Sequence, residues 1–449
     1  MKKPNILFFF TDQQRWDTCG CNNPKLDLTP NLDRLAEEGA CFEKAYTCQP
    51  VCGPARAALQ TGMYPTETSN FHNLCKLEPE SCTTLAEYLN DAGYRTGYIG
   101  KLHLAMTTDG PVPESLRYGY KDYWRAVDVL EWSSMPYEGG LYDENGQRVS
   151  FQGKYRADFV TDLLIDFLEK QAESKEPFFV MTSFIEPHHQ NGLNRYVAPK
   201  GYAKQYTNAW VPGDLSYRRG QGDWEENLPD YYGIIRRIDE NLGRVIDALQ
   251  AKGLYEDTII IFASDHGSHF RTRNDEYKRS CHDACTRIPL VIRGPGIKKG
   301  IHENTKIASL LDIPATILDF ARGKVPEHYR GMSLRPLLEG KEDVFWRNEM
   351  FIQISEAQVG RALCDGRYKY SVSAPEANGY HDAFSKQYVE EFLYDLENDP
   401  DENHNLVTSQ EYEAVRLNMR ETLIKYIENV EHYTPKIIVK KMFLNAERI

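Results

Sequence analysis

TIIIFASDHG, Thr258–Gly267, decides how the rest of the chain is read. A run of β-branched and aromatic residues without polar alternation has no solvent-facing side, so it reads as a strand buried on both faces. Ser264, Asp265 and His266 then follow without a break. Ahead of the run lies YYGIIRRIDENLGRVIDALQAKGL, Tyr231–Leu254, an amphipathic helix by its spacing. Helix, buried strand and charged loop together form the unit of a parallel sheet covered by helices on both faces.

The same unit recurs along the chain. NILFFF, Asn5–Phe10, is a buried strand followed by Asp12 and Gln13, and TPNLDRLAEEG, Thr29–Gly39, is a helix that Thr29 can cap and Pro30 can start. TTLAEYLNDAG, Thr83–Gly93, is a second helix, leading into YRTGYIGKLHL, a strand that ends in Lys101 and His103. DFVTDLLIDFLEK, Asp158–Lys170, leads into PFFVMTSF, Pro177–Phe184, after which come His188 and His189. Ligands of such sheets bind beyond the carboxyl ends of the strands. Four strands that end in charged or metal-binding side chains therefore predict one site at that edge.

Past about Gly340 the pattern changes. MFIQISEAQVGRALCDGRYKYSVS alternates like an antiparallel meander with a turn at Asp365-Gly366, and SQEYEAVRLNMRETLIKYIENV, Ser409–Val430, is a closing amphipathic helix. The expected architecture is α/β: a large, mostly parallel sheet sandwiched by helices over residues 1–340, and a smaller α+β subdomain with an antiparallel sheet over 341–449.

Length and composition agree. At 449 residues the chain exceeds the usual limit for one core. Its net charge of −13 leaves no basic surplus to neutralise phosphates, which argues against a nucleic-acid partner but not against a small anionic substrate. The run Ile6–Phe10 is too short for a membrane span or a signal-peptide core. Ten cysteines without a disulfide framework suggest reduced thiols and a cytoplasmic setting, with the periplasm or secretion as the alternative if a signal peptide has been removed.

QPVCGPARAALQTGMYP, Gln49–Pro65, places Cys52, Pro54 and Arg56 at the head of an apolar, helix-prone run. A disulfide has no use for the arginine, and a metal clip would want a second cysteine or a histidine close by. The stretch reads as a reactive group at a helix start with a cation beside it. Cys281-x-x-x-Cys285 with His282 lacks a fourth zinc ligand at suitable spacing and reads as a loop.

Taken together these residues resemble the formylglycine-dependent (type I) sulfatases of the alkaline phosphatase superfamily. The resemblance is carried by Cys52-x-Pro54-x-Arg56 with Leu59, Thr61 and Gly62, by GYRTGYIGKLHL, ASDHG, RIPLVIRGPG and LLDIPATILD, and by GMSLRPLLEG and EFLYDLENDPDENHNL. It spans nearly the whole chain and implies an alkaline phosphatase-like fold. It implies that a maturase oxidises Cys52 to formylglycine (3-oxoalanine), whose hydrated aldehyde attacks the sulfur of a sulfate ester and later expels sulfate. Asp12, Gln13, Asp265 and His266 match the positions that hold a divalent cation together with the modified residue 52. Oxygen donors suit Ca²⁺. Many relatives carry Asp at the Gln13 position and Asn at the His266 position, and this departure makes Mn²⁺ the alternative.

The resemblance further assigns Arg56 to the modified side chain, Lys101 and Lys278 to sulfate oxygens, His188 to the leaving-group acid and His103 to the base. Asn73 and His189 are candidate substrate contacts, whereas His72, His269 and His282 can equally be structural. The expected activity is a sulfatase acting on a sulfated carbohydrate. The aromatic and acidic segment Gly119–Gly146 is suited to a sugar-binding rim. The alternative is a phosphonate monoester hydrolase or phosphodiesterase of the same superfamily, against which Lys101 argues because those enzymes tend to lack it.

Overall fold

The computed structural model describes residues 3–108 and 110–439. Its main feature is a ten-stranded sheet in the order Ile301–Glu303, Ala40–Phe42, Leu290–Arg293, Thr258–Ser264, Asn5–Asp12, Phe178–Pro187, Arg95–Lys101, Tyr123–Val127, Glu138–Asp143, Arg148–Gln152. The central strands, from Thr258–Ser264 through Tyr123–Val127, run parallel. Antiparallel pairings flank them on both sides. All the central strands thus end at one edge, where the sequence pattern puts Asp12, Lys101, His188 and Asp265.

The NILFFF strand shows why the run has no polar face. Ile6, Phe8 and Phe10 pack with Ala55 and Leu59, Leu85 and Leu89, and Ile313 and Ile317, three short helices on one side of the sheet. Leu7 and Phe9 point the other way, into Leu32 and Leu35, Val160 and Leu164, and Ile238 and Leu242 of three helices on the opposite side. A strand that feeds two cores has to be apolar throughout.

Two helix starts differ from expectation, one in its boundary and one in its cap. The long helix runs from Trp224 to Ala251, with Pro229 inside it, and so begins well before Tyr231. Pro30 does open the Pro30–Glu37 helix, but Thr29 makes no cap hydrogen bond. Its hydroxyl accepts from the Gly20 amide at 2.8 Å and donates to Asp33 Oδ1 at 3.1 Å, tying down the loop after the first strand instead.

The C-terminal sheet has the strand order Met350–Ile354, Gly360–Cys364, Tyr368–Ser373, Gln387–Asp395, Lys436–Ile438, antiparallel except for the last pair. The helix Glu413–Glu431 covers it through Met419, Leu423 and Ile427. The same apolar cluster takes in Tyr46, Cys48, Ala58 and Tyr64 of the segment that carries Cys52. Gln353 donates its amide to the Cys48 carbonyl at 2.8 Å, and Gln49 donates its side chain to Ser355 Oγ at 2.7 Å. The small sheet therefore braces the approach to the Cys52 helix.

One glycine shows how tightly the strand ends are packed. Gly100, at φ +105°, would place a Cβ 2.0 Å from the Ser183 carbonyl oxygen, so only glycine allows the Lys101 strand to lie this close to its neighbour. On the helix side, Phe9 stacks on Phe184 at 4.5 Å and on Phe262 at 5.5 Å. Phe9→Ala should lower the free energy of unfolding by about 3–5 kcal/mol, read from denaturant titration. A loss below about 1 kcal/mol would mean that this core closes up around the gap.

Candidate active site

Five segments meet at the carboxyl edge of the sheet. The strand Asn5–Asp12 delivers Asp12, Thr258–Ser264 delivers Asp265 and His266, and Arg95–Lys101 delivers Lys101. The helix Cys52–Thr61 begins at Cys52 itself, and its buried first turns carry Arg56 toward the same point. Lys278 arrives on the loop ahead of Leu290–Arg293. All of these side chains are buried.

Asp12 is the hub. Its Oδ2 accepts from Arg56 at 3.0 Å and from Lys101 Nζ at 2.9 Å, and its Oδ1 lies 3.5 Å from Cys52 Sγ. Burial and the Cys52 sulfur push its carboxyl up, but the charges on Lys101, His188 and Lys278 outweigh them and hold it well below the usual carboxylate range. Arg56 also donates to the Lys101 carbonyl at 2.9 Å and to Ser183 Oγ at 2.6 Å, which fixes its fork. Lys278 Nζ sits 2.7 Å from Cys52 Sγ, 3.1 Å from His266 Nε2 and 3.4 Å from His188 Nε2. Burial opposes a thiolate at Cys52, yet Lys101, Lys278 and His266 bring the thiol well below its ordinary value.

The donors Asp12, Cys52, Asp265 and His266 present ligand atoms within 4.8 Å of one another. His266 Nδ1 lies 2.9 Å from the Gly267 carbonyl, a contact that requires its proton on Nδ1 and leaves the Nε2 lone pair facing the cluster. Asp265 Oδ1 accepts from the Gln13 and His266 backbone amides at 3.0 and 2.8 Å, while its buried Oδ2 makes no hydrogen bond among the described residues and only an ion pair with Arg56 at 3.6 Å. Burial, and then the Asp12 charge, push Asp265 up to about 7. Two carboxylates, one with an orphaned oxygen, crowded beside an imidazole lone pair form a site that a divalent cation would relieve of its like-charge conflict. The residues present fit a metal.

The remaining candidates fall around this centre. Gln13 turns its carboxamide oxygen to the His189 backbone amide at 3.3 Å and to His189 Nδ1 at 3.4 Å, and its Nε2 has no hydrogen-bond partner among the described residues. His188 places Nδ1 2.6 Å from the His189 carbonyl, and burial, followed by the Lys278 charge, lowers its pKa. His189 lies against the Tyr277 ring at 4.2 Å. His103 has a buried Nδ1 without a hydrogen-bond partner among the described residues. Asn73 Oδ1 accepts from the Gly53 amide at 2.9 Å, capping the helix that starts at Cys52. Cys52, Asn73, His103, His188, His189 and Lys278 all line one cavity of about 390 Å³.

The other histidines and the loop cysteines have structural partners. His269 Nε2 bonds the Lys278 carbonyl at 3.1 Å, and His282 lies between Ser280 Oγ and Tyr394 OH, each at 3.1 Å. His72 Nδ1 accepts from the Leu74 amide at 3.1 Å. Burial pushes the thiols of Cys281 and Cys285 up to about 12. All ten cysteines are free.

Sequence reasoning missed Glu131. Its Oε1 accepts from Lys101 Nζ at 2.7 Å, and it lines the cavity from the short helix Leu130–Ser133. The available signal was one of two acids, Asp128 and Glu131, in the stretch VDVLEW at the end of a strand. The reading also missed Arg279 and Glu356, which form an ion pair at the rim.

Comparison with known proteins agrees with this geometry. The sulfatase family model matches residues 4–324, and the model described as N-sulphoglucosamine sulphohydrolase, C-terminal, matches residues 275–429. An ulvan-active sulfatase of Formosa agariphila is 30% identical over 427 residues, covering 92% of this chain and 79% of its own. An N-acetylglucosamine-6-O-sulfatase of Bacteroides thetaiotaomicron is 27% identical over 512 residues, covering 95% and 88%. The crystal structure of a putative sulfatase from Bacteroides fragilis superposes with a TM-score of 0.81 at 25% identity, covering 96% of this chain and 97% of that one. With an alkaline phosphatase-like sheet, a Cys-x-Pro-x-Arg helix start and a buried acidic cluster at the strand ends, this chain belongs to the sulfatase family and is a sulfuric ester hydrolase.

Proposed function

We propose that the substrate is a sulfated carbohydrate and that residue 52, as formylglycine made by a maturase, is the nucleophile in a site holding Ca²⁺. The observation that carries this reading is the convergence of Asp12, Asp265, His266 and residue 52 on one point, with Arg56, Lys101 and Lys278 around it. The printed activities of the ulvan and N-acetylglucosamine relatives support a sugar ester. Lys101 favours sulfate over phosphonate esters.

A hydrated aldehyde at residue 52 supplies two oxygens, one to take up the sulfuryl group and one to help release it. A divalent ion held by Asp12, Asp265 and His266, with Gln13 as a further donor, supplies positive charge where negative charge develops. The chain's own residues do the rest. Lys278, 2.7 Å from the side chain of residue 52, and Lys101 offset charge on the sulfate oxygens. Arg56 is locked by Asp12, Ser183 and the Lys101 carbonyl, so it offsets negative charge near residue 52 without reorganising. His188, with Nδ1 committed to the His189 carbonyl, keeps Nε2 beside Lys278 to protonate the departing sugar oxygen. An anionic ester in the cavity offsets the Lys278 charge and so raises the affinity of Nε2 for that proton. His103, whose Nδ1 has no hydrogen-bond partner among the described residues, is the base on the same cavity.

Peptide mass spectrometry of active enzyme should find formylglycine at residue 52, and Cys52→Ala should have no turnover. Full activity in protein carrying only the thiol would overturn the nucleophile. Asp265→Ala should lose the bound ion by elemental analysis as well as turnover. Calcium should restore stripped wild-type enzyme better than manganese, and the reverse order would replace the proposed ion.

The two histidines should fail differently. His188→Ala should cost a sugar sulfate about 10²–10⁴-fold in kcat/KM and an activated aryl sulfate far less, because the aryl oxygen departs without a proton. His103→Ala should cost both substrates alike. Equal losses for His188→Ala on the two esters would move the acid role to Lys278.

A further inference from the structure

The cleft over residue 52 does not end at the catalytic cavity. Trp132, on the helix Leu130–Ser133, is 55% exposed, a rare setting for so large an apolar side chain. It forms a wall of the catalytic cavity and also of a second cavity of about 550 Å³, lined further by Ser134, Glu138, Arg148 and Gln190. Glu131 and Asn191 line both.

This second compartment has a built frame. Buried Arg156 donates to Glu186 Oε1 at 2.9 Å, Ser134 Oγ at 3.0 Å and Gln190 Oε1 at 3.1 Å, and Gln190 Nε2 donates to the Ser134 carbonyl at 3.1 Å. Two polar groups are left over. Glu131, 7% exposed, gives Oε1 to Lys101, but its buried Oε2 has no hydrogen-bond partner among the described residues. A buried carboxylate oxygen at the junction of two cavities lacks a donor. Arg148 is exposed, and among the described residues it makes no ion pair, not even with Glu138 in the same compartment. A flat aromatic face, an acceptor without a donor and an unpaired guanidinium suit a hydroxyl-rich ring bearing an anionic group.

We infer that this compartment is a subsite for the sugar unit next to the sulfated one. Trp132 is its stacking platform, Glu131 Oε2 accepts a ring hydroxyl at the junction, and Arg148 takes a carboxylate or sulfate on the neighbouring unit. The inference rests on the carbohydrate reading above and extends it from a monosaccharide ester to an acidic oligosaccharide.

The test compares kcat/KM on four substrates: a sulfated monosaccharide, a neutral disaccharide with the same sulfated unit, its uronate-bearing counterpart, and an activated aryl sulfate as the internal reference. Wild type should prefer the uronate disaccharide over the monosaccharide by about tenfold or more. Trp132→Ala should lower the ratio of either disaccharide to the aryl sulfate by about tenfold. Arg148→Ala should lower it about three- to tenfold for the uronate disaccharide only. Equal loss on both disaccharides would remove the anion contact from Arg148. Hydrolysis of the monosaccharide sulfate with no disaccharide preference, or a preference untouched by both substitutions, would overturn the subsite and leave the carbohydrate reading standing. Turnover of the aryl sulfate alone would overturn the carbohydrate reading, and the subsite with it.

Discussion

The buried carboxylate of Asp12 is the point on which the site depends. Two cations share its Oδ2, Arg56 from a helix and Lys101 from a strand, and the pairs are wholly removed from solvent. Burying such charges is costly unless each is paired and hydrogen-bonded. Here the compensation is nearly complete on the cationic side, since Lys101 has Glu131 as a second partner and Arg56 has Ser183 and a carbonyl. It is not complete on either side: among the described residues Arg56 Nε and Asp265 Oδ2 have no hydrogen-bond partner, and Arg56 reaches that oxygen only as an ion pair at 3.6 Å. These unsatisfied groups lie at the donor cluster of Asp12, Cys52, Asp265 and His266 that fits a divalent cation.

That dependence explains the fold around it. The charges must be held at fixed separations, and strands buried on two faces are rigid supports for their own ends. Asp12 and Asp265 sit on adjacent parallel strands, in the register that pairs Thr11 with Ser264. Lys101 comes from the far side of Phe178–Pro187, and Gly100 is what allows those two backbones to close. The Cys52 helix adds a different constraint. Its first residue is Cys52 of the donor cluster, and Asn73 caps the next amide from outside, leaving the helix start oriented toward the cluster.

The large sheet was legible because its strands are apolar on both faces, a pattern few other settings produce. The edge holding the site followed from the same reading, since Asp12, Lys101, His188 and Asp265 each come directly after such a run. What escaped was whatever lacks a period or a neighbour in sequence. Glu131 is a single acid on a four-residue helix. Nothing local says that Lys101, from a different strand, will lie 2.7 Å away. Thr29 satisfied every local rule for a helix cap and was taken by Gly20 and Asp33 instead, a tertiary choice among partners of similar strength. His269 could be read as functional or structural and Asn73 as a substrate contact, and only distances place one on the Lys278 carbonyl and the other on the Gly53 amide at the cavity wall.

Glu356 shows how the C-terminal sheet enters the chemistry. It follows the strand Met350–Ile354 and is 6% exposed. Its Oε1 accepts from the Asn73 amide at 2.7 Å, and its Oε2 pairs with Arg279, the residue after Lys278. One carboxylate thus links the cap of the Cys52 helix to the loop that carries Lys278. Glu356 and Arg279 both adopt left-handed backbone conformations, at φ 64° and 72°, which non-glycine residues hold only when their surroundings over-determine them. Two such residues in contact at the cavity rim, one from each sheet-bearing part of the chain, indicate that the distance between Lys278 and residue 52 is set jointly. The small sheet therefore does more than cover an apolar face. By gripping Cys48 and Gln49 on one side and Arg279 on the other, it fixes both the Cys52 helix and the lysine that faces it.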